Sequence, residues 1–184
     1  ITPAMFEEGD AELDLAADIL ANGKTSRLYK RLVYELRAAT DVSASQNSRE
    51  AGGFMQIAAT AAPGHTLAEL ERVIVEEIEK LAASGPTDDE IERGRVQAEA
   101  QFIYRLQTVG GFGGKSDQLN AYNVFLNDPG YFDKDLARYQ AVTAESLRSV
   151  TKQYLTNANR VSLSIVPKGK SIYAQPGSVP SLMS

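Results

Sequence analysis

A group of basic residues in one predicted helix is the first feature of this sequence that could do chemistry. At 3.6 residues per turn, the helix places these residues opposite an apolar row of Leu28, Leu32 and Leu36. One interpretation is a solvated helix face. The other is a positively charged surface that attracts an acidic or carbonyl-rich partner, because clustered positive charge in a cleft raises the local concentration of negative groups. The basic residues are Lys24, Arg27, Lys30, Arg31 and Arg37.

The segment Gly110–Ser116 resembles a phosphate-binding loop but does not fit its pattern. That pattern needs a glycine five residues before Gly114, and Val109 stands there instead. A phosphate-binding loop also follows a strand, whereas this segment follows a long predicted helix. We therefore interpret the glycines as a bend between two helices.

The sequence contains few side chains of the types that bind zinc. The chain has one histidine, His65, and no cysteine, which excludes disulfides, thiolate metal sites and cysteine nucleophiles. A zinc site with two imidazole ligands is excluded as well. His65 follows Pro63-Gly64 at a predicted helix start, a position typical of a surface residue, so we expect no metal site in this chain.

Composition excludes two further classes of function. A net charge of -5 is the opposite of the basic footprint that nucleic-acid binding needs, so no nucleic-acid partner is expected. No apolar run reaches the roughly 18 to 20 residues of a membrane-spanning helix, and the N-terminus lacks the pattern of a signal peptide. With 184 residues, 43% of them hydrophobic, one domain with its own core is predicted.

The elements follow from hydrophobic periodicity. Helices are predicted over 11–20, with Asp10 as N-cap, and over 27–37, 67–81, 88–108, 117–125, 131–140 and 143–155, with a capping box at Thr87 to Glu90. Strands are predicted over 42–48, 53–61 and 161–165. The first two form an antiparallel hairpin with Met55, Ile57, Ala59 and Ala61 on one face. Residues 1–166 form one domain, and 167–184 are a tail or linker rich in Pro, Gly and Ser.

The first predicted strand is unusually polar. One interpretation is an edge strand, or a strand with one face in water. The other is functional: the unpaired N–H and C=O groups of a polar edge can bind an extended peptide as an additional strand.

The order of these elements, together with four segments, resembles one domain of the insulinase/pitrilysin family of zinc peptidases, of the non-catalytic, C-terminal type found in mitochondrial processing peptidase. The segments are 20–28, 32–45, 85–92 and 141–155. The resemblance implies an α+β fold, a two-layer sandwich of a mixed, largely antiparallel sheet backed by helices. It also implies a first strand that would precede Ile1, with Ile1-Thr2-Pro3 as its truncated remnant.

The resemblance also implies a function. The family's catalytic domain binds zinc through a His-x-x-Glu-His motif, which this chain lacks. The chain is thus expected to be a substrate-binding and closure domain, inactive by itself, that assists peptide hydrolysis by a zinc-bearing domain on the same or a second chain. The zinc is expected in that partner. The alternative is a structural or assembly module of the same fold with no role in proteolysis.

Candidate site residues follow from the same resemblance. In the family, the non-catalytic half can supply an Arg and, seven residues later, a Tyr to the substrate carbonyl. Arg37 matches the Arg by its place after Tyr34-Glu35-Leu36, but the Tyr position holds Ala44. The candidate peptide-binding residues are therefore Arg37 and the strand residues Val42, Ala44 and Gln46. For the protein as a whole, the resemblance implies a bacterial protein of the periplasm or cytoplasm.

Overall fold

A two-stranded antiparallel hairpin packs on a layer of helices, which confirms the predicted α+β class. The computed structural model describes residues 1–180. None of the helices within that range is long and apolar enough to cross a membrane. The elements are α1 (Asp10–Ala21), a π-helix (Tyr29–Glu35), β1 (Ala39–Asn47), β2 (Phe54–Ala61), α2 (Leu67–Ser84), α3 (Asp88–Leu106), α4 (Lys115–Leu126), α5 (Phe132–Ala141) and α6 (Ala144–Tyr154), followed by short 3-10 turns at Asn157–Asn159 and Ser171–Tyr173.

Helix α1 lies at the centre of the domain. Nine of its twelve residues are buried, and it contacts β1, α3, α5 and α6. Helix α3 approaches it closely at Gly94, where a Cβ atom would lie 3.1 Å from Leu15 Cδ2. The helix therefore has no wide solvent-exposed face. Each polar side chain on it must form a hydrogen bond within the protein or contact water in a groove between the packed elements.

The segment predicted as a helix over 27–37 is mostly a π-helix. Leu28 and Leu32 are fully buried as predicted, but Leu36 is 40% exposed. The Leu36 N–H donates to the carbonyl of Arg31 five residues earlier, at 3.0 Å. Because this wider turn rotates the later residues, the third leucine leaves the apolar row.

The hairpin has the predicted inner face. Met55, Ile57, Ala59 and Ala61 are partly buried against the core, and Ala44 lies opposite Ile57 across the strands. The register shifts between Ala39 and Asp41, which marks a bulge at the start of β1.

The prediction of a strand over 161–165 is wrong for this structure. The residues run without regular secondary structure, and Val161, Leu163 and Ile165 are 96%, 79% and 83% exposed. Alternating apolar residues indicate a strand only where a neighbouring edge supplies hydrogen bonds, and no described segment pairs with this one.

Helix starts follow the predictions at two threonines. Thr87 and Glu90 form the predicted capping box, and the Thr143 hydroxyl accepts the Ser146 N–H at 3.0 Å. The prediction of Asp10 as N-cap is wrong, because Asp10 is the first residue of α1 and its carboxylate accepts the N–H of Phe6 at 2.9 Å.

The two ends of the chain contact the domain at different places. Thr2 forms an antiparallel bridge with Gly53, beside the start of β2. In the predicted tail, the Gln175 amide donates to the carbonyl of Leu67 at 2.8 Å. The last four residues of that tail, 181–184, lie outside the described residues. The division into a domain of residues 1–166 and a tail stays a prediction.

We expect Leu20→Ala to lower the free energy of unfolding by about 2–5 kcal/mol, because Leu20 is fully buried in α1 and its truncation leaves a cavity. Leu119→Ala is the matched control: Leu119 is 41% exposed on α4, so its loss should change stability by less than about 0.5 kcal/mol. Denaturant unfolding of both variants measures the difference. Equal losses would contradict the central position of α1.

Candidate functional site

The edge of β1 that faces away from β2 pairs with no other strand in residues 1–180. Thr2 uses the other side of the hairpin: its N–H lies 2.8 Å from the Gly53 carbonyl and its carbonyl accepts the Gly53 N–H at 3.0 Å. Successive residues of an antiparallel strand direct their backbone groups to alternate sides. Phe54, the next residue, therefore directs its groups toward β1, where its partner is Asn47.

The same alternation identifies the residues on the free edge. Since Asn47 bonds toward β2, Ser45 and Ser43 do so as well. The residues between them, Val42, Ala44 and Gln46, direct their N–H and C=O groups outward. These are the strand residues that the sequence analysis predicted as a peptide-binding site.

The side chains of these three residues point to the helices instead. Val42 is 4% exposed in the core, and Ala44 packs partly buried against it. The Gln46 amide donates to the Thr2 hydroxyl at 2.7 Å and to the Ser48 hydroxyl at 3.3 Å. Only the backbone of the predicted site is therefore open to a partner on this edge.

Arg37 lies apart from these residues, in the connection between the π-helix and β1. It is exposed and has a φ of 51°, in the left-handed region that costs a non-glycine residue roughly 1–2 kcal/mol. Tyr34 beside it is 76% exposed. The last turn of the π-helix and the connection after it thus carry an aromatic and a cationic side chain on the surface before β1.

Two of the predicted basic residues are neutralised within the domain. Arg27 binds Glu90 with Nη2 2.7 Å from Oε2, and Arg31 binds Glu76 at 2.8 Å and Glu77 at 2.9 Å. Burial would raise the pKa of Glu90, but hydrogen bonds from Arg27 and Thr87 outweigh it and hold this pKa below its usual value. Arg27 and Arg31 therefore form structural contacts to α3 and α2, whereas Lys24, Lys30 and Arg37 are exposed.

A groove of about 190 Å³ adjoins the free edge of β1. Its walls come from β1, α1, α3 and α5, and include apolar residues such as Leu15, Ala44 and Phe102. The polar residues that line it are Asp14, Asp18, Ser45, Gln46, Gln101, Arg105 and Tyr139.

Three aspartates of α1, spaced four residues apart, run along one side of the helix toward this groove. Asp10 contacts the Arg138 guanidinium at 3.3 Å and accepts the Ser48 hydroxyl. Asp14 accepts the Tyr139 hydroxyl at 2.6 Å, and Asp18 accepts the Asn22 amide at 2.8 Å. Only the first of the three has a cationic partner among the described residues.

The pKa of Asp14 lies well above its ordinary value. Burial raises its pKa, the Tyr139 hydrogen bond partly offsets this, and the neighbouring charges of Asp10 and Asp18 raise it further, to about 7. Burial also raises the pKa of Asp18. Burial and the Asp14 charge raise the pKa of Tyr139 well above its ordinary value, so Tyr139 stays a hydrogen-bond donor.

The sequence analysis did not identify this acidic row. It predicted only a helix over 11–20 with Asp10 as its N-cap and gave Asp14 and Asp18 no role. The available signal was the Ala-rich composition of α1, since small residues let neighbouring elements pack on all sides of a helix.

No group of three or more His, Cys, Asp or Glu side chains within residues 1–180 has the arrangement to hold a metal ion. His65 lies at the start of α2, with Nδ1 2.9 Å from the Glu69 carboxylate. The residues present in this chain do not fit a zinc site.

We expect Asp14→Asn to stabilise the domain above pH 7. Because the pKa of Asp14 is about 7 in the folded protein and 3.8 as its ordinary value, the folded state binds one more proton than the unfolded state between these values. Stability is therefore lost as the pH rises from about 4 to 7, by a few kcal/mol in total. The neutral amide avoids this loss and still accepts the Tyr139 hydrogen bond.

Thermal unfolding at pH 4, 6 and 8 measures the effect. The variant should melt higher than the original chain at pH 8, by a margin that shrinks toward pH 4. Glu12→Gln, an acid-to-amide change on the same helix outside the groove, is the control and should show no such trend. A margin that is constant with pH would contradict the raised pKa.

Comparison with solved structures shows the same fold in several bacterial proteins. A "putative zinc protease" from Bordetella pertussis Tohama I shares 23% identity over 90% of this chain and 88% of that chain, with a TM-score of 0.77. A protease from Helicobacter pylori shares 24% identity over 85% of this chain and 37% of that chain, with a TM-score of 0.71. A peptidase M16 inactive domain from Pseudomonas fluorescens shares 17% identity over 85% of this chain and 36% of that chain, with a TM-score of 0.67. The chain thus spans just over a third of the last two.

A comparison with curated protein sequences gives no match. A family model described as the peptidase M16 inactive domain matches residues 4–97, which is just over half of the chain. This range contains α1, the β hairpin and α2. The chain therefore belongs to the family of peptidase M16 inactive domains, as its resemblance to the insulinase/pitrilysin peptidases predicts.

Proposed function

We propose that this chain is the substrate-binding and closure domain of a zinc metalloendopeptidase, and that it binds peptides along the free edge of β1. The observation that carries the proposal is the row of open backbone groups at Val42, Ala44 and Gln46. An extended peptide added there would form an antiparallel or parallel ladder without needing specific side chains. This mode of binding suits a peptidase domain that accepts varied sequences.

The zinc belongs to a partner in this proposal. A zinc-bearing peptidase domain, on the same or a second chain, supplies the metal that activates water for hydrolysis. This chain supplies one wall of the substrate site and its peptide ladder. Peptide and catalytic domain are thus its two partners.

The energy of such a ladder explains why closure is needed. Each backbone hydrogen bond contributes roughly 0.5–1.5 kcal/mol net, so the three open residues hold a peptide weakly by themselves. Ordering the peptide costs roughly 1–2 kcal/mol for each residue. A second domain that closes on the other side of the peptide adds the contacts that make binding productive.

Arg37 is suited to an auxiliary role. Its planar guanidinium donates several hydrogen bonds and matches a peptide carbonyl or carboxylate. It lies on the surface just before β1, at the end of the proposed peptide ladder. We assign it to positioning of the substrate backbone.

One observation favours the alternative, a structural or assembly module. Ala44 stands at the position where the family resemblance implies a tyrosine in active enzymes, and its small side chain faces the core rather than the free edge. A domain of this kind would stabilise its partner without touching substrate.

Reconstitution separates the two functions. The chain is mixed with the partner domain that carries the His-x-x-Glu-His motif, and cleavage of a mixed peptide library is measured with and without it. Cleavage that requires the chain supports a substrate-binding domain. Equal cleavage without it would leave the structural module as the function.

We expect Ala44→Pro to lower that cleavage at least fivefold while the domain stays folded. Proline removes the Ala44 N–H, which faces the free edge, and edge strands tolerate proline where the N–H is unpaired. Ser43→Pro is the matched control for the geometry, because the Ser43 N–H bonds toward β2 and its loss should destabilise the hairpin by roughly 3 kcal/mol. Thermal unfolding checks both variants; similar melting temperatures for the two would contradict the assignment of the free edge.

We expect Arg37→Ala to lower the rate of peptide cleavage about tenfold, the effect of one lost charge-assisted hydrogen bond. Arg37→Gly should lose as much activity and gain stability, since glycine adopts a φ of 51° without strain. Lys30→Ala, an exposed basic residue on the π-helix, is the control. Unchanged turnover in both Arg37 variants would exclude this contact.

A further inference from the structure

The groove beside β1 lies where a side chain of an added peptide would point. Side chains alternate across a strand, so every second residue of a peptide on the free edge faces the same side as Ala44 and Gln46. That side is the helix layer, and both residues line the groove. A peptide bound as proposed above therefore presents a side chain to the groove.

Two carboxyl groups line this groove without a cationic partner. On the same side of the domain, Asp10 and Asp135 both contact Arg138, each at 3.3 Å. In contrast, Asp14 contacts a tyrosine hydroxyl and Asp18 an amide, and neither forms an ion pair within the part of the chain that the structure describes. Half-buried carboxylates attract a cation more strongly than fully exposed ones do, because less water screens them.

A third acceptor in the groove wall is the side-chain carbonyl of Gln46. Ser48 donates its single hydroxyl proton to Asp10, so its oxygen must accept from Gln46, which fixes the Gln46 amide nitrogen on that side. The Gln46 Oε1 atom is buried, and no donor of the described residues reaches it. A buried acceptor without a donor is costly, but this oxygen has almost no exposed surface, so a ligand N–H would reach it only after the Gln46 side chain turns.

The size of the groove restricts its occupant. A volume of about 190 Å³ corresponds to roughly six water molecules. Sites for whole small molecules take roughly 300–1,000 Å³. The groove therefore suits one extended side chain with a donor group at its end.

We propose that the groove is a specificity site for an arginine or lysine side chain of a peptide that lies along β1, with Asp14 and Asp18 as its acceptors. This inference rests on the proposed function, because the β1 ladder brings the side chain to the groove. Apolar wall residues such as Leu15 and Phe102 contact the methylene groups of such a side chain, as they do for other long cationic residues.

Arg105 at the mouth of the groove is the one basic residue in the lining. It is exposed at the end of α3 and forms no ion pair with Asp14 or Asp18. Its positive charge lies in the same lining as the two carboxyl groups and repels an incoming cation. Removing its charge should therefore strengthen binding.

Binding should release a proton. The charged groups around Asp14 are Asp10 and Asp18 on α1, Arg138 and the Tyr139 hydroxyl on α5, and Arg105 on α3, while β1 contributes only neutral residues. With a pKa of about 7, Asp14 is mostly protonated at pH 6 and mostly ionised at pH 8. A cationic side chain favours the ionised form, so its affinity should rise about tenfold between these pH values.

The test is calorimetric titration of the 184-residue chain, at millimolar peptide concentrations that detect a weak ladder, with three blocked pentapeptides that differ only at the central residue. The centre is arginine, its neutral isostere citrulline, or alanine, flanked by valine and threonine. At pH 8 we expect the arginine peptide to bind at least tenfold more tightly than the citrulline peptide. At pH 6 the affinities of the arginine and citrulline peptides should be about equal. The binding enthalpy at pH 8 should depend on the ionisation enthalpy of the buffer, which shows that binding releases a proton.

Three variants test whether the arginine preference and its pH dependence come from the groove. Asp14→Asn should remove the pH dependence and most of the arginine preference, Arg105→Gln should increase that preference, and Glu12→Gln outside the groove should change neither. Asp14→Asn is expected to remain folded, since the amide still accepts from Tyr139.

The outcomes separate the two proposals. Equal affinity for arginine and citrulline peptides would overturn the groove inference and leave peptide binding at β1 intact. Binding of the citrulline and alanine peptides that is lost in Ala44→Pro supports the β1 ladder itself. No binding of any of the three peptides would count against the ladder and the groove together, and loss of arginine preference in Glu12→Gln would count against the groove alone.

Discussion

The burial of α1 on nearly all sides is the constraint on which the other features depend. A helix that carries three aspartates four residues apart normally turns them to water, but here β1, α3, α5 and α6 surround it. Each aspartate must then be neutralised by a neighbour or by a proton. Arg138 serves Asp10, whereas burial holds the pKa of Asp14 well above its ordinary value, and only a tyrosine hydroxyl reaches it. One packing arrangement thus produces both the stable core and the acidic groove.

The β hairpin adds the second requirement of the site. Its polar outer face and free edge leave backbone groups open, while its inner face packs on α1 through Ala44 and its neighbours. Because the groove and the free edge share Ala44 and Gln46, a peptide on the edge and a side chain in the groove are two parts of one binding mode. Arg37 stands at the start of the same strand. The proposed function and its proposed specificity therefore share one strand and one helix.

Predictions from the sequence were confirmed where local rules decide the structure. The capping box at Thr87, the inner face of β2 and the helix spans 67–81 and 117–125 depend on short-range hydrogen bonds and periodicity. Predictions were wrong where distant contacts decide. The helix after Arg27 became a π-helix, and the segment 161–165 found no strand to pair with. Neither interpretation of the basic helix side, a solvated face or a surface for an acidic partner, included the ion pairs of Arg27 and Arg31 with acids on other helices, at 2.7 Å and 2.8 Å.

The sequence alone determined the α+β class, the family resemblance and the lack of ligands for zinc, because the order of elements and the supply of His and Cys are properties of the chain itself. It also identified Val42, Ala44 and Gln46 as alternate residues of one polar strand. Only the tertiary structure decided that their backbone, not their side chains, faces a free edge, since this depends on the hydrogen bonds of β2 with Thr2. It also decided that Asp14 and Asp18 lie in a groove, since burial of α1 arises from elements more than twenty residues away along the chain.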